Sequence, residues 1–174
     1  MKEKTKAFFK THFSLPVFLF ALALIINCIL ISSVKYAWMD EILTYYSASM
    51  PTFTSMLSFT TDSINAGNYA YFIVIWFWSK IFSTSILSLR LFSCLGVVVG
   101  MIALWASLKK IYGEKSATLA TFGTFAFSLI IIFQNSEARF YGTLIALTCI
   151  LFFITIKYEK VKIPNRRIVL QLFL

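Results

Sequence analysis

Long apolar runs separated by short polar ones set the pattern of this chain. The first covers residues 13–34 and is preceded by Lys2, Lys4, Lys6 and Lys10. At 1.5 Å per residue it is long enough to cross a hydrocarbon layer about 30 Å thick. A signal peptide has a shorter apolar core followed by a small-residue cleavage site, and this run has neither feature, so it reads as a retained membrane helix. Further spans are expected over 86–108, 116–134 and 140–157. A fifth begins at 168 and is still apolar at 174. The segment 68–82 (NYAYFIVIWFWSKIF) is different, because it is crowded with aromatics and short for a span. It reads as an interfacial or re-entrant helix. The expected fold is all-α: a polytopic integral membrane protein with four to five spans, and short interfacial helices in a first external loop over 35–85.

Composition supports that reading. Of 174 residues, 59% are hydrophobic and 13% charged, against about 45–50% and ~25% in soluble domains. The mean hydropathy is +0.81. A soluble fold needs more polar surface than this, and a disordered chain needs far less apolar content. Cys28, Cys94 and Cys149 all lie within apolar runs. They read as small hydrophobic side chains, neither disulfides nor metal ligands.

The net charge of +9 changes meaning once each cation is assigned to a side. Cytoplasmic loops collect Lys and Arg. If 68–82 does not cross, the N-terminus, the loop holding Lys109, Lys110 and Lys115, and residues 157–167 all fall on the cytoplasmic side. Twelve of the sixteen cations then lie there, leaving Lys35, Lys80, Arg90 and Arg139 on or near the other face. If the segment crossed, the bias would reverse. The basic charge is thus a topology signal and not a nucleic-acid footprint. Localisation in the cell membrane, multi-pass with a cytoplasmic N-terminus, is expected.

The acids sort differently. Glu3, Glu114 and Glu159 sit among cytoplasmic lysines and read as solvated charge pairs. Asp40, Glu41, Asp62 and Glu137 all fall on the external face, where the topology rule does not require them. Ionisable groups at a membrane rim or cavity tend to be functional. Asp40 and Glu41 follow the exit of the first span, beside Tyr36 and Trp38 at headgroup level. A local helix there would put Thr44 on the face of Asp40 and Tyr45 on that of Glu41. The plain structural alternative is a helix N-terminus decorated with acids that its dipole favours.

A second group is Ser136-Glu137-Ala138-Arg139-Phe140-Tyr141. An arginine at the outer rim suits a phosphate or carboxylate, which it grips through two parallel hydrogen bonds. Glu137 and Tyr141, four apart, could share a helical face. The alternative is a snorkelling arginine paired to Glu137. No Gly-rich phosphate loop is present, and the single histidine, His12, sits at the cytoplasmic end of the first span. That excludes a His-based triad and a zinc site with several histidines. Trp76-Phe77-Trp78 reads as packing; a sugar-facing role stays open for Tyr45, Tyr46, Tyr69 and Tyr71.

Taken together, Asp40-Glu41 outside the first span, the short aromatic helix followed by Leu-Arg-Leu-Phe-Ser (89–93), and the Ser-Glu-Ala-Arg-Phe-Tyr rim resemble one family. Over roughly residues 10–160 the chain resembles the N-terminal part of GT-C glycosyltransferases, of the protein O-mannosyltransferase and aminoarabinose-transferase type. The resemblance implies horizontal helices in the first external loop. It also implies a hexosyl or pentosyl transfer from a polyprenyl-phosphate sugar, at the outer membrane face, to a protein, lipid or glycan acceptor. Asp40 would be the base for the acceptor hydroxyl. Glu41 would orient it or bind a divalent metal ion. Arg139 would hold the donor phosphate, with Glu137 and Tyr141 shaping its surroundings. Many relatives carry a His-Pro element before the short helix; here residues 66–70 read Ala-Gly-Asn-Tyr-Ala, so acceptor contacts of that element do not carry over. Relatives run to several hundred residues, and the resemblance makes this chain the N-terminal portion of such a protein, whose activity alone is in question. The rival reading is a non-catalytic membrane protein, either a transporter fragment or an assembly subunit.

Overall fold

A computed structural model describes residues 15–62 and 69–158, and among them every regular element is an α-helix. In chain order these are α1 (Leu15–Val34), α2 (Met39–Ser49), α3 (Phe53–Asp62), α4 (Tyr69–Ile81), α5 (Ile86–Tyr112), α6 (Glu114–Phe127), α7 (Leu129–Gln134) and α8 (Tyr141–Tyr158).

The long helices form one bundle centred on α5, against which α1, α6 and α8 pack. α1 is apolar on every side but buries one narrow stripe, Val17, Ala21, Leu24 and Cys28, against α5. Phe20 and Ile25 flank that stripe half-buried, and Phe18, Leu22, Ile26 and Leu30 are exposed. α8 likewise turns Leu144, Leu147, Leu151 and Ile154 outward. α1 and α5 are long and apolar enough to cross a membrane, and α8 carries a slightly shorter apolar stretch, Tyr141–Lys157. These helices are compatible with membrane insertion.

The closest approach is between α5 and α8, and glycine permits it. A Cβ on Gly96 would lie 2.5 Å from the Gly142 carbonyl carbon, and one on Gly142 would collide with the Ser93 carbonyl oxygen. Gly100, one turn further on, faces Ile145 in the same way. Helices can be this close only where side chains are missing. α5 starts at the Ser85 cap, whose hydroxyl accepts the Ser88 N–H at 3.3 Å. It ends at Gly113, where φ of +83° suits only glycine. Lys109 near that end pairs with Glu114 in the first turn of α6 at 3.1 Å, each charge on the helix end that favours it.

The region between α1 and α5 holds three short helices. They pack around Met56, Phe72, Ile75 and Leu89 as a second, smaller core. α4 also satisfies the carbonyls that α2 leaves open at its C-terminus. Trp76 and Lys80 donate to the Met50 oxygen (2.9 and 2.7 Å), and the Ser79 hydroxyl donates to the Ala48 oxygen (2.7 Å).

The outcome differs from expectation along the third span. The stretch 116–134 is not one helix, since it breaks at Ser128, whose φ and ψ of −81° and 101° are extended. The Ser128 hydroxyl accepts the Ile131 N–H at 3.4 Å and caps a new helix, α7. A serine that bonds the backbone locally offers the chain an alternative to the helical ladder. The second span runs on to Tyr112 instead of stopping at 108. The fifth expected span, the N-terminal lysines and His12 lie outside the described residues.

Candidate active site

At one end of the bundle the chain leaves α1, enters α2, begins α5 and turns from α7 into α8. Four segments that are far apart in sequence therefore meet there, and Arg90 in the first turns of α5 holds them. Its side chain is fully buried, and all five guanidinium N–H groups are used. Nε and Nη2 donate to the two oxygens of Glu41, each at 2.8 Å. Nη1 donates to the Ser32 and Lys35 carbonyls at 3.3 and 3.0 Å, and Nη2 to that of Tyr36 at 3.2 Å. The arginine thus caps the C-terminal end of α1, where carbonyls lack helical partners and positive charge is favoured.

Glu41 is equally enclosed. Besides Arg90, its Oε1 accepts the Ala138 N–H at 2.8 Å and its Oε2 the Trp38 N–H at 3.1 Å. Burial works against the charged carboxylate, but the bonds from Arg90, Ala138 and Trp38 outweigh it and hold the carboxyl below its ordinary range. Glu41 was expected to orient a base or to bind a divalent ion. With four hydrogen bonds and no exposure, it holds its neighbours in place and has no lone pair open to a metal. Among the described residues no three His, Cys, Asp or Glu side chains come together as a metal site.

Through Ala138, Glu41 fixes the turn that carries the second group. Residues 135–140 are not helical, so Glu137 and Tyr141 do not share a helical face as expected. The Arg139 N–H closes a tight turn on the Glu137 carbonyl at 2.9 Å, and its carbonyl accepts the Ser93 hydroxyl at 2.8 Å. Glu137 turns away from the cavity to pair with Lys35 at 2.6 Å. Arg139 turns the other way, and its Nη2 pairs with the carboxylate of Asp40. Its Nε stands 3.7 Å from Glu137 Oε2, too far for a hydrogen bond, and has no other partner.

Asp40 and Arg139 border a cavity of about 70 Å³ together with Thr44, Tyr71, Phe140 and Tyr141. Asp40 is half exposed, its side chain 52% accessible, so it can receive a proton from an incoming group. Thr44 shares this cavity with Asp40, its hydroxyl donating to the Asp40 carbonyl at 3.1 Å. Tyr45 does not follow Glu41 inward; with Tyr46 it lines a separate cavity beside Ile86. Tyr71 is buried, and its hydroxyl has no hydrogen-bond partner. Burial pushes its phenol well above the usual range, which the nearby Ser93 and Thr44 hydroxyls offset only in part. The side chain of Asp62 lies outside the described residues.

Of the five residues singled out from sequence, Asp40, Arg139 and Tyr141 share the cavity. Glu41 lies behind it as a support, and Glu137 anchors the turn. Arg90, Lys35 and the Ala138 N–H were missed as site builders. A signal for Arg90 was present, since an arginine inside an apolar helix needs a partner; nothing in the sequence marks the amide. No family model matches the chain, and no curated protein or solved structure matches it either.

Proposed function

We propose that this chain belongs to a multi-pass membrane glycosyltransferase. It would move a sugar from a polyprenyl-phosphate donor to an acceptor hydroxyl, with the ion-paired end of the bundle at the outer membrane face and the N-terminus in the cytoplasm. Membrane residence is supported by α1 and α8, whose exposed faces are apolar stripes that lipid would cover. The observation that carries the enzymatic reading is the meeting of Asp40 and Arg139 across 99 residues at the mouth of one cavity.

The chemistry follows from those two groups. Asp40 takes the proton of the acceptor hydroxyl, whose oxygen forms a bond to the anomeric carbon of the sugar. The bond from that carbon to the phosphate oxygen breaks, and its electron pair leaves with the phosphate. Arg139 stabilises the charge that develops there.

The test is sugar transfer from a radiolabelled polyprenyl-phosphate sugar in membranes carrying the full chain. Asp40→Asn and Arg139→Ala are each expected to cut the rate about 10²- to 10³-fold. Near-normal transfer by Asp40→Asn ends the base assignment. A non-catalytic subunit would tolerate both changes.

A further inference from the structure

We infer that Tyr71 is a ligand-binding residue: its phenol O–H donates to a phosphoryl oxygen held in the cavity between α2, α4 and the 135–140 turn. The inference rests on the phosphate-bound donor proposed above and adds a member that neither charge bookkeeping nor the resemblance supplies.

Two buried donors without a hydrogen bond point the same way. The Tyr71 hydroxyl is buried without a hydrogen bond, although the residue is only 6% exposed. Such a group forfeits its contact with water and gains nothing in return, so native proteins keep few of them without a use. The Arg139 Nε–H is buried and makes no hydrogen bond either, standing 3.7 Å from Glu137 Oε2. Both residues line the same cavity. One donor is neutral and one is cationic, and an acceptor-rich tetrahedral oxyanion satisfies both. The cavity holds about 70 Å³ where one water needs roughly 10–15 Å³, so there is room for a group of several heavy atoms. The ring of Tyr71 is held by Phe72 and Phe92, with ring centres at 5.8 and 6.3 Å. The phenol is therefore aimed before any ligand arrives and costs little to order.

The decisive variant is Tyr71→Phe, which keeps the ring packing and removes only the hydroxyl. A purely structural role makes this change close to neutral, because only the Ser93 and Thr44 hydroxyls stand near the phenol and neither makes a hydrogen bond of ordinary geometry with it. We expect the full chain in detergent micelles to bind undecaprenyl phosphate, and Tyr71→Phe to bind it at least tenfold more weakly, as befits a hydrogen bond to a charged oxygen. The unfolding temperature without ligand should be unchanged or higher. Inorganic phosphate alone, run as a second arm, separates a site for any phosphate from one that needs the lipid. If the parent chain binds undecaprenyl phosphate and Tyr71→Phe binds it equally well, the role of Tyr71 is overturned while the donor class stands. If the parent binds neither compound, the phosphate-bound donor falls, and Tyr71 with it.

Discussion

Arg90 and Glu41 form a closed pair at the residue scale, and closure makes each depend on the other. Removing one leaves a buried, uncompensated charge, which typically costs about 3–5 kcal/mol. Glu41→Ala should therefore lower stability by that order, as read by thermal unfolding in detergent. The parent should also lose stability in acid. A carboxyl held below its ordinary value stabilises the fold above that value, 4.5 for a glutamate, and the contribution fades as pH falls through the lower folded value. Glu41→Ala should lack this decline. Unchanged stability in the variant would show that the pair holds nothing together. Asp40, Glu41 and Arg139 could be picked out from sequence because charges are scarce in so apolar a chain, and any acid on the external face stands out. Their division of labour could not. Adjacent carboxylates look alike in one dimension, and only the backbone of residues 135–140 decides which of them is enclosed. Arg90 reads in sequence as an external charge, whereas in the fold it is enclosed by Glu41 and the carbonyls at the end of α1.

At the scale of elements, apolar length was enough to find α1, α5 and α8, since a run of 17 or more apolar residues has few other readings. It said nothing about how they meet. The contact is written in Gly96-Val-Val-Val-Gly100, a spacing that puts two bare backbones on one face of α5. Gly142 of α8 sits against Ser93, two residues from the turn that presents Arg139. Gly142→Val would force the helices apart at the site end of the bundle. We expect a loss of about 1–3 kcal/mol from overpacking and a drop in sugar transfer, with Gly123→Val, where a Cβ meets nothing, as the matched control. Equal behaviour of the two variants would remove the close approach as a determinant. The break at Ser128 was hidden for another reason. Hydropathy is blind to a hydroxyl that caps a helix from within an apolar run.

For the whole molecule, the ends of the helices sort by chemistry. Lys35, Asp40, Glu41, Arg90, Glu137 and Arg139 gather at one end of the bundle, and Lys109 and Glu114 lie where α5 turns into α6 at the other. In the topology proposed above, the first end faces outside. A cysteine replacing Tyr36, which is 93% exposed, should react with a membrane-impermeant thiol reagent in intact cells. One replacing Lys115 should react only after the membrane is opened. The reverse labelling would invert the topology and move the proposed chemistry to the cytoplasm.

The hydrogen bonds that Glu41 accepts have one more consequence, in the order of synthesis. The carboxylate leaves the ribosome 49 residues before Arg90 and 97 before Ala138. Until those segments arrive, neither the cap on α1 nor the turn that carries Arg139 has its anchor. Glu41 thus waits for the turn that precedes the last described helix, and the site is completed late, when α8 folds back along α5.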